Sequence, residues 1–370
     1  MFLFYFGLLL YMFFIIWILE GYKNVIKEDK IDKDYNPSVS VVIAAKNEKN
    51  NLNNLIKFLI NQIYKNYEVI IVNDKSTDTT ESILKENCSK FKNLSYITIK
   101  STPKDWSSKK WAIYNGILLA KGNIIIQTDA DCYMSNKWIS IMIAPFKSAD
   151  VGFVSSLTPT YYNKKNNFKD LFLMDSIAQD AFSGYAIGRN LTLSCNARSI
   201  AFRKKYFMEV NGYEGIKHIV SGDDDLLLHK IVHYIGCRVK FILNKSGAVF
   251  SAPPNNIANF CNQRLRFASK GLLYYKKDFI SKEMRIILPF LFLINLMACF
   301  LILKFCKTGH PVYCIPLIFK LISDYLIIYP IYDLYNYKWN WFSFIIVSIV
   351  HPFYIIIFAM IGPIYNFKWK

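Results

Sequence analysis

The sequence predicts an α/β domain set between membrane segments, and two observations carry this prediction. Short apolar runs alternate with amphipathic stretches over residues 37–275, a pattern typical of a parallel sheet covered by helices. Apolar stretches of membrane-spanning length stand on both sides of that interval. We therefore expect one membrane helix over residues 1–22, a soluble domain over 37–275, and about three membrane helices over 286–364.

The first apolar segment, Phe2–Leu19, carries no charge before Glu20. A helix of this length crosses about 30 Å of hydrocarbon. A cleaved signal peptide fits poorly, because no basic residue precedes the run and no small-residue cleavage site follows it. Three more candidate spans stand late in the chain: Ile286–Leu303, Val312–Tyr332 and Trp341–Ile364.

The composition agrees with a membrane protein. Of the 370 residues, 53% are hydrophobic, and the mean hydropathy is +0.19, which is high for a wholly soluble protein. Lysines flank the apolar segments, as Lys23 and Lys27 do after the first and Lys276 and Lys277 before the second. The positive-inside rule therefore predicts a multi-pass protein of the cell membrane with its soluble domain in the cytoplasm. Topology after the second segment stays open, because one of the last three could be re-entrant or interfacial.

The net charge of +18 and the eight cysteines need separate explanations. No nucleic-acid-binding motif appears, so we expect anionic lipid headgroups rather than nucleic acid as the partner of the basic residues. No Cys-x-x-Cys pair occurs. A cytoplasmic location therefore predicts free thiols.

The first half of the soluble interval alternates strand and helix. Each strand is a short apolar run, and each helix shows apolar residues at helical spacing. The predicted strands are Val39–Ala45, Tyr67–Val72, Leu94–Ile99 and Asn123–Gln127, and the helices lie around Leu52–Leu59, after Ser76–Asp78, and over Trp111–Ala120. This order predicts a largely parallel sheet whose ligands gather beyond the carboxyl ends of the strands.

Ala45, Asp74 and Asp129 all fall at such strand ends. Asp129 and Asp131 follow the apolar run Ile124–Ile126 and are hard oxygen ligands close enough to share one Mg²⁺ or Mn²⁺. An Asp-x-Asp pair is otherwise a solvated turn. Their placement beside the other strand ends favours a nucleotide diphosphate site that uses a divalent metal.

Five motifs in order extend this interpretation. They are Ala44–Glu48, Asp74–Asp78, Asp129–Asp131, Ser221–Leu227 and Gln263–Phe267. Together they resemble the family 2 glycosyltransferases, which have a GT-A nucleotide-sugar (Rossmann-like) fold. The last motif looks like the Gln-x-x-Arg-Trp element of cellulose, chitin and hyaluronan synthases and of ceramide glucosyltransferases, with Phe267 in place of Trp.

The resemblance implies roles on the donor side. Asp131 should bind the metal, with Asp129 helping through a ligand water or the ribose. Asp74 should hydrogen-bond the base, and Ala45 and Glu48 should line the nucleoside pocket. Lys109 should lie near the donor. A helix N-cap remains the alternative for Asp74, and an exposed basic pair remains the alternative for Lys109 and Lys110.

On the acceptor side, the resemblance makes Asp224 the general base that takes the proton of the attacking hydroxyl. Asp223 belongs to the same motif, and a solvated turn capping the helix Leu226–Ile235 is the alternative. Arg266 should approach the diphosphate, and the remaining acceptor or diphosphate candidates are Gln263, Arg264 and Phe267. A basic amphipathic helix on the membrane surface is the alternative for the arginines.

The sequence thus predicts an inverting glycosyltransferase that moves a sugar from a nucleotide-diphosphate sugar, expected to be a UDP-sugar, to a membrane lipid or a lipid-linked glycan. Its cofactor would be Mg²⁺ or Mn²⁺. A processive polysaccharide synthase is the alternative enzyme, because the Gln263 motif occurs in both groups. A catalytically silent sugar-nucleotide-binding scaffold is the alternative outside catalysis.

Overall fold

The chain folds into two units. The computed structural model describes residues 1–28, 31–32, 34–161 and 169–365. Among the described residues, the sheet unit is built from Val25–Pro159 and Ser194–Ala252, and the helical unit from Met1–Asn24, Thr160–Leu193 and 253–365. The interval 37–275, expected from the sequence to be one soluble domain, therefore contributes to both units.

The sheet unit contains nine strands and six α-helices among its described residues. The strands are β1 (Val39–Ala45), β2 (Tyr67–Asp74), β3 (Leu94–Ile99), β4 (Ile124–Gln127), β5 (Cys132–Met134), β6 (Val151–Ser156), β7 (Ile200–Arg203), β8 (Arg238–Ile242) and β9 (Val249–Ser251). The helices are α2 (Leu52–Ile60), α3 (Thr80–Lys90), α4 (Ser108–Leu119), α5 (Trp138–Ile143), α7 (Lys204–Glu209) and α8 (Asp225–Ile235). The four strands and three helices predicted for the first half are all present.

Seven strands form one sheet in the order β3-β2-β1-β4-β7-β6-β8. β1 pairs in parallel with both β2 and β4, whereas β7 runs antiparallel to β4 and β6. The prediction of a largely parallel sheet is confirmed for the first four strands, while β7 is a reversal that the sequence did not indicate. A separate two-stranded sheet pairs β5 with β9.

Burial explains why these segments fold as they do. β1 is buried at every position except Ala44, as expected for a central strand covered on both faces. α2 buries Leu52, Leu55, Ile56 and Leu59, which share one helical face. α4 lies close to the sheet at Gly116, where an added Cβ would come within 2.6 Å of Val42 Cγ1. Parallel strands with helices packed on them bring the carboxyl ends of β1, β2 and β4 to one edge.

The helical unit contains seven α-helices among its described residues. They are α1 (Phe2–Leu19), α6 (Lys169–Gly188), α9 (Ile257–Ala268), α10 (Leu273–Lys276), α11 (Lys282–Thr308), α12 (Ile315–Tyr335) and α13 (Trp341–Ile361). Four stretches are long and apolar enough to cross a membrane: Phe2–Lys23, Lys282–Thr308, Pro311–Tyr335 and Trp341–Ile364. These are the four segments expected from the sequence, and they are compatible with membrane anchoring. The number of crossings and their orientation stay predictions.

One ion pair lies within a candidate membrane span of the helical unit. Asp324 in α12 accepts a hydrogen bond from Lys320 Nζ at 2.6 Å, so the one acidic residue in the middle of that candidate span has a neighbouring cation. α1 and α6 approach closely where they end, since a Cβ on Gly21 would lie 1.9 Å from the carbonyl oxygen of Tyr185. Among the residues that the structure describes, all eight cysteines are free thiols, as expected for the five within the predicted soluble domain.

Candidate active site

The predicted donor residues gather at the carboxyl edge of the parallel strands. Ala45 ends β1 and lies opposite Asn73 of β2 in the ladder, so Asp74 is its near neighbour. β4 pairs with the other side of β1 and ends at Gln127, two residues before Asp129. Three polar strand ends that are far apart in sequence therefore meet at one edge.

Asp74 is 1% exposed and does not cap α3. Its Oδ2 accepts a hydrogen bond from Ser108 Oγ at 2.6 Å, and Lys75 Nζ donates to the same hydroxyl at 3.0 Å. Its Oδ1 lies 3.3 Å from Lys75 Nζ but is buried without a hydrogen bond. A carboxylate oxygen that has an ion-pair neighbour but no hydrogen bond can accept from a ligand N–H, and the N-cap alternative is wrong.

The loop after β1 is tied to the loop after β2. Thr77 N donates to Asn47 Oδ1 at 2.8 Å, and Glu48 N donates to Thr80 Oγ1 at 2.9 Å. Asn47 has a φ of +57°, a left-handed conformation that Asn adopts more readily than most residues. Ala45 is buried and the Glu48 side chain is half-buried. The two loops thus form one wall beside Asp74.

Lys109 connects two of the acidic motifs. Its Nζ lies 2.9 Å from Asp129 Oδ1 and 2.9 Å from Asp223 Oδ2. Burial alone lowers the pKa of Lys109, but the two carboxylates outweigh it and raise that pKa above its ordinary range. For Asp223, burial raises the pKa and the Lys109 cation more than reverses this, so the pKa is lowered. Both groups are therefore charged at neutral pH, and the exposed-pair alternative for Lys109 is wrong.

Gln127 supports the same carboxylate. It is the last residue of β4 and is buried, and its Nε2 donates to Asp223 Oδ2 at 2.9 Å. Its Oε1 and the hydroxyl of the next residue, Thr128, are buried without a hydrogen bond. Polar groups that end β2 and β4 are therefore buried together at this edge.

The pair Asp129 and Asp131 fits a divalent metal by its donor chemistry. Asp131 is exposed, and the Asp129 side chain is 30% exposed. Burial, and after it the two carboxylates, raise the pKa of the neighbouring Cys132 thiol against the opposing effect of Arg198. Among the described residues, no group of three or more His, Cys, Asp and Glu could hold a metal alone. Two carboxylates with open positions suit Mg²⁺ or Mn²⁺ shared with a diphosphate.

Asp224 is fixed by backbone donors. It is the N-cap of α8, where its Oδ1 accepts from Asp225 N at 2.8 Å and its Oδ2 accepts from Ala197 N at 2.9 Å. The preceding Gly222 has a φ of +82°, which favours glycine. Asp224 thus caps α8, but Asp223 and Asp225 on either side of it are buried, so the turn is not the solvated one of the alternative. The cap is compatible with a base because it orients the carboxylate.

Lys110 is fully buried and holds the segment that leads to this motif. Its Nζ donates to three backbone carbonyls, those of Ile216 at 2.9 Å, Ile219 at 2.6 Å and Ser221 at 2.8 Å. Lys230 in α8 donates to the carbonyls of Gly212 and Glu214 at 2.8 and 2.7 Å. Two lysines therefore fix the chain from residue 212 to residue 221, just before Asp223.

The four predicted residues of the last motif lie on α9, in the helical unit. Arg264 is 9% exposed and forms an ion pair with Asp175, to which Tyr354 also donates. The guanidinium carbons of Arg264 and Arg266 each lie 5.3 Å from the Phe267 ring centroid, within cation–π range. Arg264 thus has a structural partner, while roles for Gln263, Arg266 and Phe267 at the acceptor or diphosphate stay predictions.

Sequence reasoning missed several residues of this site. Gln127 carried a readable signal, since a polar residue ends an otherwise apolar strand. Ser108 and Lys110 carried none, because their partners are 34 and 106 to 111 positions away. Arg198, whose guanidinium contacts Ser251 of β9, stands in a segment where the resemblance is weak.

Comparisons with known proteins agree with this geometry. The family model Glycosyl transferase family 2 matches residues 40–210. The 4,4'-diaponeurosporenoate glycosyltransferase of Staphylococcus haemolyticus strain JCSC1435 is 25% identical over 53% of this chain and 52% of its own length. The beta-monoglucosyldiacylglycerol synthase of Nostoc sp. PCC 7120 is 33% identical over 36% of this chain and 28% of its own. The chain thus spans about half or less of the length of these curated relatives.

A solved structure shows the same fold. The mannosyltransferase PcManGT from Pyrobaculum calidifontis, in complex with GDP-Man and Mn²⁺, superposes with a TM-score of 0.59 and 17% sequence identity, covering 90% of this chain and 96% of that one. The predicted GT-A fold is therefore confirmed. Residues 40–210 thus match glycosyl transferase family 2, in agreement with the residues assembled at the sheet edge.

Proposed function

We propose that this chain is a membrane-bound, inverting glycosyltransferase that moves a sugar from a nucleotide-diphosphate sugar to a lipid or lipid-linked acceptor. The observation that carries the proposal is the bridge of Lys109, 2.9 Å from both Asp129 and Asp223. This bridge brings the acidic pair suited to a metal next to the acidic motif suited to a base. A donor phosphate and an acceptor hydroxyl need these two groups close together.

On the donor side, Asp74 and the wall formed by Ala45 and Glu48 bind the nucleoside. Asp74 Oδ1 has the Lys75 ammonium 3.3 Å away but no hydrogen bond, and such an acceptor suits the ring N–H of uracil or guanine. A UDP-sugar is our first choice of donor. PcManGT, whose structure contains GDP-Man and Mn²⁺, makes GDP-sugars the next to test.

Asp131 and Asp129 would hold the Mg²⁺ or Mn²⁺, which supplies Lewis-acid stabilisation of the leaving diphosphate. Lys109 provides a second positive charge beside the same leaving group. By resemblance, Arg266 approaches the diphosphate and Gln263 the acceptor.

Asp224 takes the acceptor proton. The acceptor oxygen forms its bond to the anomeric carbon from the face opposite the nucleotide, the bond from that carbon to the diphosphate oxygen breaks, and the proton passes to the Asp224 carboxylate. Two backbone N–H groups donate to the carboxylate, so its orientation stays fixed as the hydroxyl approaches.

A lipid acceptor is supported by the four apolar stretches of the helical unit. It is also supported by the names of two relatives, a diacylglycerol glycolipid synthase and a diaponeurosporenoate glycosyltransferase. We further propose that the protein crosses the membrane several times with the sheet unit in the cytoplasm. Reporter fusions after Lys27 and after Thr308 test this, since only the first should report a cytoplasmic location.

The activity test uses membranes that contain the full chain, radiolabelled UDP-sugars and GDP-sugars, Mn²⁺ and extracted lipids. Wild type should transfer label to a chloroform-soluble product, and Asp224→Asn should lose about 10²–10⁴-fold in rate. Asp150→Asn is the matched control, because it removes an exposed carboxylate of the same unit and should leave transfer unchanged.

The same experiment separates the alternatives. Label in a high-molecular-weight polymer would favour the processive synthase. Nucleotide binding without transfer across the donor panel would favour the silent scaffold. Equal transfer by wild type and Asp224→Asn would refute the assignment of the base.

A further inference from the structure

Lys109 forms an ion pair with Asp129, one of the two carboxylates proposed to bind the divalent metal. Its side chain is 7% exposed, and its ammonium lies 2.9 Å from Asp129 Oδ1. A divalent metal bound to that oxygen at about 2.0–2.6 Å would lie next to this ammonium. Two cations at that separation repel each other. The ion pair and the metal therefore compete for Asp129.

We propose that Lys109 is a resident cation that withholds Asp129 from the divalent metal until a nucleotide diphosphate binds, so that metal and nucleotide enter the site together. The inference rests on the proposed function and adds to it a binding order. The diphosphate carries the negative charge that lets both cations stay. Lys109 then moves from the Asp129 carboxylate to a phosphate oxygen.

The contacts around Asp223 support this exchange. Its Oδ2 accepts from both Lys109 and Gln127 Nε2, the latter at 2.9 Å. When Lys109 moves, Gln127 still donates to the same oxygen. Asp223 therefore keeps a hydrogen-bond donor, and Lys109 can move without disturbing the motif that contains Asp224. Asp131 is exposed and offers the metal a first contact.

The geometry also explains why a cation is built in here. Asp129, Asp131 and Asp223 are three carboxylates brought to one edge of the sheet, and like charges held this close destabilise the fold. Lys109 compensates two of them in the nucleotide-free protein. The positive charge of Lys109 also lowers the affinity of these carboxylates for a divalent ion, because it reduces the net negative charge that attracts the ion.

The test measures Mn²⁺ binding to the full chain in detergent by electron paramagnetic resonance, first without nucleotide and then with UDP or GDP. Wild type should bind Mn²⁺ weakly alone and at least about tenfold more tightly with the nucleotide. Lys109→Met should bind Mn²⁺ alone at least about tenfold more tightly than wild type, and the nucleotide should enhance its binding less. Because the coupling between two ligands is reciprocal, Mn²⁺ should also increase the affinity for the nucleotide less in Lys109→Met than in wild type, and by the same factor. Calorimetry measures this nucleotide affinity.

Three variants serve as controls. Lys109→Arg keeps the charge and should keep Mn²⁺ binding weak without nucleotide. Lys109→Gln removes the charge but keeps a donor, and it should reproduce the effect of Lys109→Met if the latter folds poorly. Lys217→Met removes a lysine that also bridges two acids, Asp105 and Glu214, and should leave Mn²⁺ binding unchanged.

The outcomes separate this inference from the function on which it rests. The withholding role alone is overturned if Lys109→Met and Lys109→Gln bind Mn²⁺ without nucleotide no more tightly than wild type does. This outcome counts only if both variants still bind Mn²⁺ and nucleotide. Failure of wild type to bind Mn²⁺ and nucleotide at millimolar concentrations overturns both.

Discussion

Replacing Lys110 with Met tests how the acidic motif is held in place. The substitution removes a buried ammonium that donates to three backbone carbonyls, at 2.6 to 2.9 Å. Hydrogen bonds from a charged donor contribute about 1.5–3 kcal/mol each, and a buried carbonyl without a donor costs about 1–3 kcal/mol. Removing the charge also removes its desolvation cost, which offsets part of the loss. We therefore expect a net loss of about 3–5 kcal/mol.

The assay is thermal unfolding of the purified chain in detergent, followed by a fluorescence reporter. A loss of this size lowers the melting temperature by about 10 °C in a domain of this size. Sugar transfer at a permissive temperature should fall with little change in KM for the donor, because the segment that positions Asp224 loosens while Asp74 is untouched. Lys90→Met, which breaks an exposed ion pair with Glu86, is the matched control and should leave the melting temperature unchanged.

The reasoning fails if Lys110→Met melts together with wild type. The proposed role of Lys110 is also refuted if Lys110→Met melts at a lower temperature but transfers sugar at the wild-type rate. The three hydrogen bonds of Lys110 would then not affect the position of Asp224.

Three further predictions concern other parts of the chain. Asp175→Leu leaves the buried Arg264 unpaired and should cost about 3–5 kcal/mol, whereas the double variant with Arg264→Leu should recover most of this in the same melts. Gly21→Ala puts a methyl group 1.9 Å from the Tyr185 carbonyl oxygen and should lower the melting temperature by several degrees. Burial lowers the pKa of Lys230 from 10.5 to about 8, so the unfolded chain binds more protons between these values. Wild type should therefore gain stability relative to Lys230→Met as pH rises from 8 to 10, and melting temperatures that run parallel over this range contradict it.

The sequence predicted correctly the elements that show a local hydrophobic pattern. The strands β1 to β4 are short apolar runs, and α2 shows one apolar face, so periodicity places them correctly. The strand ends then bring Ala45, Asp74 and Asp129 together, because parallel strands share an edge. α4 begins at Ser108 rather than at Trp111, because Ser107 supplies an N-cap that the apolar pattern does not reveal.

The sequence was uninformative where partners lie far apart. Lys109 and Lys110 look like a solvated pair, because Lys is usually exposed. Their burial depends on carboxylates and carbonyls supplied by the segment 216–223, about a hundred residues later. The reversal of β7 has the same cause, since the chain reaches it only after the helix α6 and no local pattern encodes the direction of its return.

The most direct test of the account is an anomalous-scattering map from crystals of the full chain grown with UDP and Mn²⁺ and measured at the manganese edge. We predict one manganese peak about 2–2.6 Å from an Asp131 carboxylate oxygen, touching the diphosphate, with the base against Asp74 and the Lys109 ammonium moved from Asp129 toward a phosphate oxygen. A bound nucleotide with no manganese at Asp129 or Asp131, or with its base away from Asp74, would contradict the central claim.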